Sequence, residues 1–185
     1  MRKLILGSKK VPTKGTKQEK FIKLYDEHIA AIYRYVFLRV NSREMAQDLT
    51  SEVFLKAWSF LTASSQKIEN PKAFFYRIAR NLVIDFYRSK SRAEISLEET
   101  QIQIPDIDNS PEEKINLSLE MVPIQQALNQ IKDDYRDVII WHYLDELTIP
   151  EIADILGKTE NATRVMLSRG LQQIREKVKN RLGTD

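Results

Sequence analysis

Seven side chains between residues 161 and 175 share one face of a helix: Asn161, Arg164, Val165, Ser168, Arg169, Gln172 and Arg175. Arg164 and Arg169 carry planar guanidinium forks that can pair bidentately with guanine edges, at about 1–3 kcal/mol of discrimination each. Arg175, with Lys177 and Lys179 behind it, suits salt-dependent contacts to phosphates. The opposite face holds Thr163, Leu167, Gly170, Leu171, Ile174 and Val178, the side a core would take. A shorter helix has to prop this one. Thr148 and Glu151 stand at capping-box spacing, Ile149, Ile152, Ala153 and Leu156 recur at helical intervals, and Gly157 falls where a left-handed terminator is wanted. Thr159 can cap the second helix. Two helices so joined are how a helix-turn-helix presents donors to a major groove.

A second candidate surface lies upstream. At 100° per residue, Tyr76, Arg77, Arg80, Asn81, Ile84, Tyr87 and Arg88 fall within one arc of a helix over 71–90, with Phe75, Ile78, Ala79, Leu82 and Phe86 opposite. Cations beside aromatic rings suit unpaired DNA, because cations track phosphates while rings stack on bases at roughly 1–3 kcal/mol per base. The adjoining loop, 62–69, could shape a pocket for an extruded base. The plainer alternative is a solvated helix face bordered by two tyrosines. On the preceding helix, 46–58, Asp48, Ser51, Glu52 and Lys56 face outward and Leu49, Val53, Phe54 and Trp58 inward. That outer face is either solvated or a protein-docking surface.

The elements that must position these residues are all helical. Phe21, Leu24, Tyr25, Ile29, Ile32, Tyr33, Val36 and Phe37 keep the helical period over 18–40, and Asn41 or Ser42 can cap the next helix. Asn70-Pro71 reads as an N-cap with proline at the first helical position. Residues 91–110 lose helical periodicity and gain acids, so they read as a linker. Ser110-Pro111-Glu112-Glu113 starts another helix, Pro123 interrupts it, and Asp133 or Asp134 caps the next. No segment shows strand alternation bounded by hairpin turns. The expected fold class is all-α, two small helical domains joined by an acidic linker, with the helix-turn-helix in the second.

Charge is local rather than global. The 185 residues carry a net charge of only +3, but residues 1–20 have seven bases against one acid and 72–92 have six against one. Residues 93–123 reverse this with eight acids against one base, and 160–182 return to six bases against two acids. Two basic blocks around an acidic spacer imply two contacts with one polyanion. The absence of cysteine excludes disulfides and thiolate metal sites and fits a reducing cytoplasm. The apolar run Leu4-Ile5-Leu6 is too short for a signal peptide, and no run approaches the roughly 20 residues of a membrane span. Nothing suggests an enzyme, a cofactor or a metal. His28 and His142 sit on expected helices without a ligand set, and the five glycines form no phosphate-cradling loop.

Taken in order, these segments resemble the extracytoplasmic-function (ECF) class of bacterial RNA polymerase sigma factors, over about 18–182. DLTSEVFLKAW (48–58) is similar to the family's region 2.2, which docks on the β′ clamp helices of the polymerase. NPKAFFYRIARNLVIDFYRSKSR (70–92) is similar to regions 2.3 and 2.4, which melt and read the -10 element. The segment from Ser110 to Glu176 is similar to region 4, which reads the -35 element and touches the β flap.

The resemblance implies a sigma factor that binds core polymerase and directs promoter recognition, melting and initiation. It assigns Arg164, Val165, Ser168 and Arg169, with Arg175 beside them, to the -35 duplex. Tyr76, Arg77, Arg80, Asn81 and Arg88 go to the -10 strand, and Asp48, Leu49 and Glu52 to polymerase docking. The implied organisation is a basic tail (1–17), region 2 (18–91), a linker (92–110) and region 4 (111–182). The linker is either a thread through the polymerase's RNA channel or a solvated tether. An anti-sigma partner and a cytoplasmic location belong to the family pattern. Thr163, where an aliphatic residue is commoner, and Gly170, in place of alanine, depart from it; the glycine should soften the helix by up to about 1 kcal/mol. A helix-turn-helix regulator acting without polymerase is the competing reading.

Overall fold

The computed structural model describes residues 16–64, 68–97 and 126–182, with the backbone alone at 91–97 and 178–182. Helix α1 spans Lys17–Val40, α2 Arg43–Ala63 and α3 Pro71–Leu97. Helix α4, Asp133–Ile139, runs into a π-helical turn at Ile140–Leu144, and beyond it lie α5 (Ile149–Leu156) and α6 (Glu160–Leu182). Among the described residues every regular element is helical, so the all-α expectation holds.

Short-range chemistry sets most helix ends. Thr16 caps α1, accepting from the Glu19 amide at 3.2 Å while the Glu19 carboxylate accepts from the Thr16 amide at 2.8 Å. Asn41 ends α1 in the left-handed region at φ 55°, and Ser42 then accepts from the Met45 amide to begin α2. The two candidate caps thus take one role each, and two residues suffice to reverse the chain. Asn70 caps α3, its Oδ1 accepting from the Ala73 amide at 3.0 Å.

Two expectations change. Helix α3 continues to Leu97 instead of stopping near 90. Loss of the apolar period does not by itself stop a helix, and neither glycine nor proline intervenes before Pro105. Neither Asp133 nor Asp134 caps α4: Lys132 holds that position without a side-chain bond, and both aspartates fall in the first turn. Their carboxylates are drawn to Arg39 and Arg80 instead, at 2.9 and 3.0 Å. The expected helix start at Ser110 and the interruption at Pro123 lie outside the described residues, as do the 1–15 part of the tail and most of the linker.

Helices α1–α3 form a three-helix bundle around Ile32, Val36, Val53, Phe54, Phe75, Ala79 and Leu82. Phe54 and Phe75 meet at 4.9 Å between ring centroids. A second stripe of α1, Tyr35, Leu38 and Arg39, is also buried, although only the first was legible in the sequence. The reason is that α1 and α3 pack on the C-terminal helices as well as on α2. Trp141, from the π turn, is fully buried with its ring 5.4 Å from Tyr35 and 5.9 Å from Tyr76.

Candidate nucleic-acid interface

The α5–α6 unit is built as its residues dictate. Thr148 and Glu151 close a capping box, with the Glu151 carboxylate accepting from the Thr148 amide at 2.7 Å. These bonds hold the Glu151 carboxyl below its ordinary pKa, outweighing its slight burial. Gly157 ends α5 at φ 61°, a left-handed conformation that favours glycine. Thr159 caps α6, accepting from the Ala162 amide at 3.2 Å.

Thr163 and Gly170 face inward on α6. The Thr163 hydroxyl donates to the Thr159 carbonyl at 3.1 Å, so a polar residue is satisfied where an aliphatic one is commoner. Gly170 marks the crossing with α4. A Cβ there would stand 2.8 Å from Ile139 Cδ1 and 3.1 Å from Tyr135 Cβ, so this glycine allows a close approach as well as softening the helix.

The outward face carries Asn161, Arg164, Val165, Ser168, Arg169, Gln172 and Arg175, all exposed. Arg164, Ser168 and Arg175 line a shallow depression of about 380 Å³ shared with His142 and Ile149. Arg164 rests on its own helix, donating to Glu160 at 2.7 Å and to Asn161 at 3.2 Å. Such an exposed i,i+4 pair is worth only about 0.3–0.5 kcal/mol, so a base edge or phosphate can displace it.

The α3 face differs from the sequence reading. Tyr76 lies not on an open arc but in the core, 1% exposed, between Tyr35 and Trp141. A wheel treats the bundle as isolated, whereas the C-terminal helices cover that sector. Burial, with the Asp145 charge adding to it, pushes the Tyr76 phenol well above its ordinary pKa. Arg77 donates to the Asp154 carboxylate at 3.1 Å and to its carbonyl at 3.0 Å. Arg80 meets Asp137 at 3.1 Å and Asp134 at 3.0 Å. Asn81 is exposed, and Arg88, also exposed, faces Asp85 at 3.6 Å. Of the loop at 62–69, residues 65–67 lie outside the described set.

On α2, Asp48 is exposed and Glu52 half-buried, the latter paired with Lys56 at 3.2 Å. Leu49 is 7% exposed and belongs to the bundle core, so its side chain offers a docking partner almost no surface. The same face of α2 carries Leu55, 65% exposed. Both histidines have neighbours of their own. His28 lies 5.3 Å from the Phe75 ring, with its pKa lowered by burial, and His142 Nδ1 is 2.9 Å from the Leu147 carbonyl.

Sequence reasoning missed an ionic junction between the two halves. Asp137, fully enclosed, accepts from the Tyr35 hydroxyl at 2.9 Å and lies 3.0 Å from Arg39 Nε, besides its contact with Arg80. Burial pushes its carboxyl up, and the two guanidiniums oppose that. Asp145 pairs with Arg34 and is likewise pushed up by burial. A hint was available on one side only: Arg39 interrupts the apolar stretch 36–40, which a solvated charge has little reason to do.

A helix-turn-helix with an open cationic face, packed on a three-helix bundle, defines a DNA-binding transcription protein. Comparison with known families narrows this. Residues 24–93 match Sigma-70 region 2, and residues 121–174 match Sigma-70, region 4. The ECF RNA polymerase sigma factor BldN of Streptomyces coelicolor is 29% identical over 155 residues, covering 83% of this chain but only 58% of BldN. SigW of Bacillus subtilis is 29% identical over 172 residues, covering 88% of this chain and 91% of SigW. SigL of Mycobacterium tuberculosis is 28% identical over 152 residues, covering 82% and 85%.

Two solved structures share the fold. The sigma factor RpoE of Bartonella quintana, crystallised with the anti-sigma factor NepR, superposes with a TM-score of 0.69 at 20% identity, over 87% of this chain and 98% of RpoE. CnrH, in complex with the cytosolic domain of CnrY, gives 0.64 at 19% identity, over 88% of this chain and 90% of CnrH. The chain belongs to the sigma-70 family, within its ECF RNA polymerase sigma factors. The match over 24–93 leaves no place for a regulator built on the helix-turn-helix alone.

Proposed function

We propose that this sigma factor divides promoter recognition between its two helical units. Residues 18–91 dock on core RNA polymerase through the Asp48 and Glu52 face of α2 and hold the melted -10 strand along α3, with Arg77, Arg80, Asn81 and Arg88. Residues 111–182 dock on the β flap and read the -35 duplex through α6. There, Arg164 and Arg169 specify bases, Val165 and Ser168 line the contact, and Arg175 positions the helix on phosphate. Residues 92–110 join the units.

The observation that carries this reading is the sorting of α6: every candidate base-reading side chain is exposed, while Thr163 and Gly170 are buried behind them. Tyr76 keeps a place in the strand set only if the C-terminal helices move away from it. Among the described residues no helix is long and apolar enough to cross a membrane. A cytoplasmic site of action fits a polymerase subunit. Sigma factors act as regulatory subunits rather than as catalysts, and no reaction is assigned to this chain. Because RpoE and CnrH were each solved with a protein partner, an anti-sigma partner is part of the proposal.

Run-off transcription with purified core polymerase on a randomised promoter library tests the whole reading. The chain should select templates sharing an upstream and a downstream sequence block. Failure to raise initiation above core polymerase alone would refute it.

A further inference from the structure

The depression beside α6 has one wall to which duplex reading gives no role. Arg164, Ser168 and Arg175 follow one another at helical spacing along a single stripe of α6, and His142 and Ile149 face them from the π turn and the start of α5. Trp141 anchors the π turn in the core, and His142, half-buried, is the next residue. Its Nδ1 lies 2.9 Å from the Leu147 carbonyl. A carbonyl only accepts, so Nδ1 carries the proton and donates it. That bond orients the ring and leaves Nε2 as its remaining polar atom, on the side of the depression.

The charged groups lining the depression are both cationic, Arg164 and Arg175. The α5 wall contributes Ile149, and within the turn the titratable neighbour is Tyr143, its ring 4.9 Å from the imidazole. Glu160 is held by Arg164 at 2.7 Å, Glu151 by the Thr148 amide and Asp145 by Arg34. Two guanidiniums, a hydroxyl and an imidazole nitrogen, with no carboxylate in the lining, make chemistry for a phosphate diester.

We infer that a backbone phosphate of the duplex occupies this depression and that His142 is a DNA-contacting residue, binding it through Nε2 beside Ser168 and Arg175. The inference rests on the proposal that α6 reads the -35 duplex. A neutral ring protonated at Nδ1 can only accept at Nε2, and a phosphate diester has no proton to give. The contact therefore requires the imidazolium, which donates from both nitrogens. Duplex binding is thereby linked to proton uptake. Histidine changes charge between about pH 5 and 8, so affinity rises as pH falls through that window.

The test uses the full chain and a labelled random-sequence duplex of about 20 base pairs, two helical turns. Fluorescence anisotropy is read over a salt series at about pH 8 and about pH 6. The chain has two histidines, and His28→Gln is the control, at a position packed against Phe75 in the bundle. His142→Asn can keep a donor for the Leu147 carbonyl while deleting the Nε2 cation, and His142→Arg makes the charge permanent.

The wild type and His28→Gln should bind about fivefold more tightly at the lower pH in about 0.1 M salt, with a log–log salt slope steeper by about 0.9. His142→Asn should lose most of both changes, and His142→Arg should bind at the higher pH as tightly as the wild type does at the lower. A response that survives in His142→Asn would overturn the inference, and so would a wild type that shows none. Arg175→Ala separates that failure from failure of the underlying reading, because it should weaken binding at both pH values. A duplex affinity left unchanged by Arg175→Ala would remove α6 as the duplex-binding face, and the inference with it.

Discussion

Asp137→Leu should be the most damaging single change at the junction. The carboxylate is 2% exposed and is held by Tyr35 at 2.9 Å, Arg39 at 3.0 Å and Arg80 at 3.1 Å. Removing it leaves Arg39, itself 2% exposed, with the outer Asp133 as its one ionic partner among the described residues. Breaking a buried pair by deleting one member costs about 3–5 kcal/mol, because the remaining charge stays desolvated. At roughly 2–4 °C per kcal/mol for a chain of this size, the melting temperature should fall by about 10 °C.

Arg39→Met/Asp137→Leu removes both charges and should recover most of that loss, leaving a coupling of at least about 2 kcal/mol in a double-mutant cycle. Urea unfolding followed by tryptophan fluorescence measures this directly, since Trp141 lies against Tyr35. A loss below about 1 kcal/mol for Asp137→Leu, with no recovery in the double variant, would show that the pair is hydrated. The reasoning from burial would then fail.

Gly170→Val should destabilise the C-terminal unit by about 1–3 kcal/mol, because its Cβ would crowd Ile139 and Tyr135; a denaturation midpoint equal to wild type would refute the close crossing. Thr148→Ala should cost about 1 kcal/mol through loss of the α5 cap, measurable by thermal melting at neutral pH. Glu151 has a folded pKa below its ordinary 4.5, so its cap stabilises above that value and the benefit disappears as pH falls through the folded value. The stability gap between wild type and Glu151→Gln should accordingly close in acid. Asp48→Lys/Glu52→Lys should weaken co-purification with core polymerase, and unchanged recovery would remove the α2 docking claim.

What the sequence made legible was local. The capping box at 148/151, the cap at Asn70, the turn at Gly157 and the sorting of α6 depend on residues close in sequence, and each formed as expected. The misreadings concern contacts across long separations. Tyr76 is covered by Trp141, 65 positions away, and Asp133 and Asp134 abandon capping for arginines on α1 and α3. A helical wheel gives the angle of a side chain but not what arrives from another part of the chain. For that reason the exposed and buried faces of α6 were legible in the sequence, while the exposure of the α3 face was not.

The division of recognition between the two units has one most direct measurement: the library selection repeated with Arg164→Ala and with Arg169→Ala. Each variant should lose preference at one or two positions of the upstream block, at about 1–3 kcal/mol of discrimination, and keep the downstream block. An upstream block left intact by both changes would contradict the account, as would the erosion of both blocks together.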